Sequence, residues 1–174
     1  MNRKDILAFV LVAALAGYGS AAQKNGKSGL VTLTMPDGSR VEAELALTPQ
    51  AQTRGLMFKE TMPDKAGMLF VFADDEIRTF WMKNTYVSLD IVFLDGDMKV
   101  RNVFHRVPRS NPSQPEAEVA KVSAPAKFVL ELAAGKARKS RLQPGSVIKV
   151  YPPVAAVGGK RPRISTATTG AAGQ

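Results

Sequence analysis

The chain is 174 residues long, room for one ordinary domain core once its two unusual ends are set aside. It holds no Cys and a single His, which excludes disulfides, thiol catalysis, thiolate metal sites and paired-His zinc sites. A formal net charge of +9 favours anionic partners.

Residues 1–22 have the layout of a secretory signal peptide. Arg3 and Lys4 make a basic start, an apolar run spans Ile6 to Ala16, and Ser20-x-Ala22 is a small-residue cleavage signature. That run is about half the roughly 20 residues a bilayer-spanning helix needs, which argues against an uncleaved anchor. No Cys follows it, so a lipid-anchored lipoprotein is excluded. After a linker over 23–29, a single domain is expected over 30–151. The remainder, 152–174, is rich in Gly, Ala, Thr and Pro, with Lys160, Arg161 and Arg163, and reads as a disordered basic tail. The expected location is outside the cytoplasm, periplasmic or extracellular, with no transmembrane segment once the leader is removed. Expected partners there are cell-envelope polysaccharide or anionic lipid head groups. Nucleic acid is not expected, because no recognition-helix or aromatic RNA-binding signature appears.

Within the domain, Leu30 to Met35 and Arg40 to Leu47 alternate as half-buried strands around a Pro36-Asp37-Gly38-Ser39 turn. Thr48-Pro49 is an N-cap followed by Pro at the first helical position, opening a short helix to about Met57. Gly67 to Phe72 is apolar on both faces and reads as a central strand. Thr79–Lys83 and Leu89–Leu94 are two further strands joined by an 84–88 link. Asp95-Gly96 is a hairpin signal into a return strand from Met98 to His105. A Pro-rich loop over 106–116 precedes a short strand at Val119–Ser123. Phe128–Ala133 is read as a strand rather than a helix on its β-branched and aromatic content. A short helix through Ala137 and a last strand, Ser146–Tyr151, complete the domain. With neighbouring strands mostly hairpin-linked, the fold class is α+β: a largely antiparallel, barrel-like β-sheet with one or two short helices.

Polar groups then stand out against this apolar pattern. Asp90 shares a strand face with Val92 and Leu94, so it is directed inward and needs donors. The expected donors lie in the 84–88 link, with Asn84, Thr85 and Lys83 nearby and Arg54 arriving from the helix. Glu131 sits likewise among Val129 and Ala133. Paired with Asp90 it would form the two-carboxylate machinery of a hydrolase; unpaired, both are structural. Trp81, the one Trp, shares its face with Lys83 and Thr85 and suits either a flat ligand or core filling. Met57, Met68, Met82 and His105 could be soft copper ligands, but their spacing lacks any close-set pair and Met is a common core filler. No metal or cofactor is therefore expected.

Arg54-Gly55-Leu56-Met57, Gly67-Met68-Leu69-Phe70, Phe80-Trp81-Met82-Lys83-Asn84-Thr85 and Leu89-Asp90-Ile91 together resemble the signature of the bacterial and archaeal family called domain of unknown function 192. Val129 to Gly135 and Leu142-x-Pro144-Gly145 resemble its closing half, so the likeness spans about residues 30 to 150. The resemblance implies a small single domain, in many members exported, with no settled activity. Its polar signature falls here on Arg54, Trp81, Asn84, Thr85, Asp90 and Glu131. Many members carry a Cys in the loop after the return strand, where this chain has Pro108-Arg109-Ser110.

The reading that joins these features is a non-catalytic, exported accessory domain binding an anionic or carbohydrate envelope component. Its site would be a cleft beside Trp81, with Arg54, Lys83, Asn84 and Thr85 as donors oriented by Asp90. The alternatives are a hydrolase using Asp90 and Glu131, or an architectural signature with function in the variable 106–118 loop.

Overall fold

Residues 29–154 are described by the computed structural model; the expected leader and nearly all of the expected tail lie outside them. The first two strands, β1 (Leu30–Thr34) and β2 (Arg40–Ala46), pair antiparallel around the expected turn. Gly38 turns it with φ 82, its N–H donating to the Met35 carbonyl at 2.9 Å, a backbone geometry open to a residue without Cβ. Val31, Leu33, Val41 and Leu45 are buried, whereas Glu42 and Glu44 face solvent.

Thr48 then caps α1 (Pro49–Arg54), its Oγ1 accepting from the Ala51 N–H at 3.2 Å. The helix lies in the crossover between β2 and β3 (Ala66–Trp81), which pair parallel. A parallel neighbour cannot be reached by a tight turn, so a connection of this kind is required.

Two long strands replace four expected short ones. β3 runs unbroken through 67–72 and 79–81, because a register shift between Val71 and Glu76 absorbs the polar run between them as a bulge. β6 (Lys121–Ala133) likewise joins both expected segments through Pro125. The 121–126 half of β6 pairs only with β3, since β4 (Leu89–Leu94) reaches only the 128–133 half. The missing proline N–H therefore costs no ladder bond on that open side.

β4 returns through the Asp95-Gly96 turn into β5 (Val100–Val107), with Asp95 Oδ1 accepting from the Asp97 and Lys99 N–H groups at 2.9 and 3.0 Å. After β6 come α2 (Lys136–Lys139) and β7 (Lys149–Tyr151). The seven strands form one mixed sheet in the order β5-β4-β6-β3-β2-β1-β7, antiparallel except for β2–β3. This is the expected α+β class, with a correction: most spatial neighbours are joined by long connections, not hairpins. The sheet is not closed. Its two edge regions meet at an isolated bridge, Lys99–Val147.

β4 is buried along its whole length, so both faces of the sheet carry core there. One core, around Leu33, Leu45, Leu69, Val92, Leu130 and Leu132, lies inside the curl, with Ala137 of α2 packed against it. The other lies outside, around Phe70, Met82, Leu89, Ile91, Phe93 and Val129, under Leu56. Phe70, Phe80, Phe93 and Phe104 run through this outer core edge-to-face, with centroids 4.7, 5.8 and 5.5 Å apart. Met68 and Met82 are buried here as packing.

Candidate functional site

At the end of β3 the chain turns sharply. Asn84 takes φ 56, a left-handed conformation that Asn tolerates better than most residues. Its carbonyl accepts the Phe58 N–H at 2.6 Å, tying the link to the segment after α1. Gly55 lets that segment approach, since a Cβ there would meet the Phe70 ring at 3.2 Å. Between α1 and the link opens a cleft of about 730 Å³ whose lining includes Arg54, Trp81, Lys83, Asn84, Thr85 and Glu131. Five of the six residues expected to bind are thus brought together, joined by Glu131 and by Arg78.

Three buried side-chain atoms among the described residues lack a hydrogen-bond partner: Trp81 Nε1, Arg78 Nε and Glu131 Oε2. All three belong to residues lining this one cleft. Glu131 is 7% exposed, and loss of hydration pushes its carboxyl up to about 8, leaving it protonated and a donor at neutral pH. Arg78 stacks its guanidinium 4.2 Å above the Phe72 ring and pairs with Asp74 through its terminal nitrogen, leaving Nε unused. Trp81 carries the ammonium groups of Lys83 and Lys121 at 4.7 and 4.4 Å from its ring centroid. Lys83 also pairs with Glu116 at 2.5 Å. Arg54 makes no ion pair among the described residues.

Asp90 is elsewhere. It is fully buried, as strand alternation requires, but its partners are not the 84–88 link. Oδ1 accepts from the Arg106 N–H and Oδ2 from the Ala137 N–H, each at 2.8 Å. Asp90 therefore supplies from β4 a cap for α2, whose own N-cap residue, Gly135, has no side chain to offer. The corner is held by Ser110 instead: its N–H donates to the Thr85 carbonyl at 2.9 Å, and its Oγ accepts from the Thr85 N–H at 3.1 Å.

Register explains the difference. Asp90 stands opposite Leu132, and Ile91 opposite Glu131, so Asp90 points into the curl while Glu131 points to the outer face. The two carboxylates do not form a pair, the cleft is not oriented by Asp90, and Arg54 does not meet it. Of the cleft residues, Arg78 carried no signal in the sequence: the polar run 73–76 hides the continuity of β3, which alone places Arg78 beside the cleft.

A family model, DUF192, described as "Uncharacterized ACR", matches residues 31–150. Two solved structures are similar over most of their length. A protein of Sinorhizobium meliloti 1021, provisionally named a transcription regulator, is 31% identical, with 70% of this chain and 92% of that one covered and a TM-score of 0.58. A protein of unknown function from Novosphingobium aromaticivorans DSM 12444 is 32% identical, with 69% and 83% covered and a TM-score of 0.59. No curated protein matches.

Proposed function

The chain belongs to the DUF192 family, whose description assigns no activity, and we propose from the cleft itself that it is a non-catalytic, exported accessory domain binding an anionic component of the cell envelope. The carrying observation is that every buried, unpartnered side-chain polar atom among the described residues sits on a residue that lines that one cleft. Such atoms are costly to leave unpaired, and three of them on the lining of one cleft support a ligand there, one whose seating shifts these side chains enough to reach them.

Trp81 Nε1–H, Arg78 Nε–H and the protonated Glu131 are all donors, and they call for acceptor oxygens. Arg54 and Lys83 add positive charge at the same cleft, so an anionic oxygen group fits best. A neutral sugar stacked on Trp81 fits less well, because ammonium groups already lie over that ring. The export-like leader and the charge of +9 support a place in the envelope.

Calorimetric titration of the full chain at low salt with acetate, acidic glycans and peptidoglycan fragments tests this. Saturable binding is expected, weakened roughly tenfold by Arg54→Ala through loss of a charge-assisted contact. Trp81→Phe, which keeps the ring but removes the indole N–H, should weaken it as well. Absence of saturable binding by any of these anions would overturn the reading.

A further inference from the structure

Past the end of β2, one side of β3 is open. β2 pairs with β3 only as far as Ala46 opposite Phe70. Gln52 of α1 closes that end, its Nε2 donating to the Val71 carbonyl at 2.8 Å and the Ala46 carbonyl at 3.3 Å. Farther along, residues 76–81 of β3 pair with β6 and, among the described residues, with no other strand. The Met82 N–H donates to the Ala120 carbonyl at 3.0 Å, one step beyond the Trp81–Lys121 pair. Ladder bonds of an antiparallel pair alternate, so Arg78 and Phe80 also turn their backbone groups to β6. Ile77, Thr79 and Trp81 then direct N–H and C=O the other way. Pro125, which has no N–H, stands opposite Ile77, as this phase requires. Ile77, Thr79 and Trp81 all line the cleft, with α1 residues across it.

The two open sides of this ribbon differ. Along its own open side β6 carries Pro125 and an exposed Lys121, which discourage a further strand. β3 presents Ile77-Arg78-Thr79-Phe80-Trp81, rich in β-branched and aromatic residues and free of Pro. Ile77 is 72% exposed, an apolar side chain that a neighbouring strand would cover. Charge selects the occupant. The charged residues lining the cleft are Arg54, Arg78, Lys83 and Glu131. Arg78 and Lys83 are paired with Asp74 and Glu116, and Glu131 is held neutral. Arg54 is exposed and in no ion pair among the described residues. A second copy of this chain would bring its own Arg54 and Arg78 to the same edge, which like charge disfavours. We propose that the cleft takes an extended acidic polypeptide segment, added as a strand to the open edge of β3 at Ile77, Thr79 and Trp81, with a carboxylate on Arg54. This rests on the anion-binding reading above and names the class of anion. The first contacts it asks for lie on the exposed residues Arg54, Ile77 and Thr79.

The test is titration of the full chain at low salt with acetate, with an end-capped peptide of alternating Glu and Val, and with its Lys-for-Glu counterpart. The acidic peptide should bind roughly tenfold tighter than acetate, and the basic one far more weakly. Amide hydrogen exchange at Ile77 and Thr79 should slow in the complex with the acidic peptide. Thr79→Pro removes one outward N–H and no bond to β6, so it should weaken the acidic peptide roughly tenfold and leave acetate unchanged. Thr79→Val, which keeps the N–H, should bind as wild type does. An acidic peptide no tighter than acetate, or bound without slower exchange at those two amides, would overturn the added strand while leaving the anion site standing. Equal affinity for the two peptides would overturn the acidic occupant. Self-association of the free chain that Thr79→Pro abolishes would make a second copy the occupant and overturn the proposal. No binding by any anion would remove the anion site itself.

Discussion

Two buried carboxyl groups occupy neighbouring strands of the same sheet and have opposite fates. Asp90, facing the curl, has a backbone N–H on each oxygen at 2.8 Å. Glu131, facing outward, has an enclosed oxygen with no partner. The difference is one of satisfaction: a satisfied buried carboxylate fastens elements together, whereas an unsatisfied one bordering a cleft keeps hydrogen-bonding capacity that the fold itself does not use.

The largest expected effect that would break this comparison is the pH dependence of stability. The Glu131 carboxyl sits at about 8 in the folded chain against an ordinary value of 4.5. Between those values the unfolded chain has released its proton and the folded chain has not. Stability contributed by this group is therefore fully present below about pH 4.5 and falls as pH rises, by up to about 1.4 kcal/mol per unit. Above about pH 8 both states are ionised and the fall ends. Denaturant unfolding at a series of pH values should show this slope, and Glu131→Gln should abolish it. Anion binding should also weaken as pH rises past about 8, because the donor becomes a repelling carboxylate; Glu131→Gln should bind with no such dependence.

On the other face, Asp90→Ala should cost about 3 kcal/mol, because it strands two N–H groups and uncaps α2. Anion affinity measured well below the unfolding temperature should be unchanged, since Asp90 lies across the sheet from the cleft. A loss of binding without loss of stability would reverse the roles of the two carboxyls. The smallest effect belongs to the corner: Ser110→Ala should lower stability by about 1 kcal/mol by removing the hydroxyl that accepts from Thr85, and a melting curve identical to wild type would show that Ser110 does not hold it.

How far this contrast was legible in the sequence follows from where each interaction comes from. The inward direction of Asp90 was readable, because a two-residue period between apolar neighbours leaves no alternative. Its partners were not, since both donors are backbone N–H groups, 16 and 47 residues away, and any residue can supply a backbone N–H. Arg54, Trp81, Lys83, Asn84 and Thr85 were legible as a donor-rich set beside one strand end. Glu131 was legible as buried but not as part of their cleft, because that depends on the pairing of β6 with both β3 and β4. The charged run Ala73-Asp74-Asp75-Glu76 read as a break because bulges and loops share a polar composition. The parallel pairing of β2 with β3 left no local mark at all.

The loop between β5 and β6 touches the cleft's own residues twice, through Ser110 on Thr85 and Glu116 on Lys83. Two of its residues, Ser110 and Val119, are buried, while Asn111 and Glu116 to Glu118 face solvent. Recharging only those solvent-facing positions would therefore alter the surroundings of Lys83 while leaving every rung of the ladder in place.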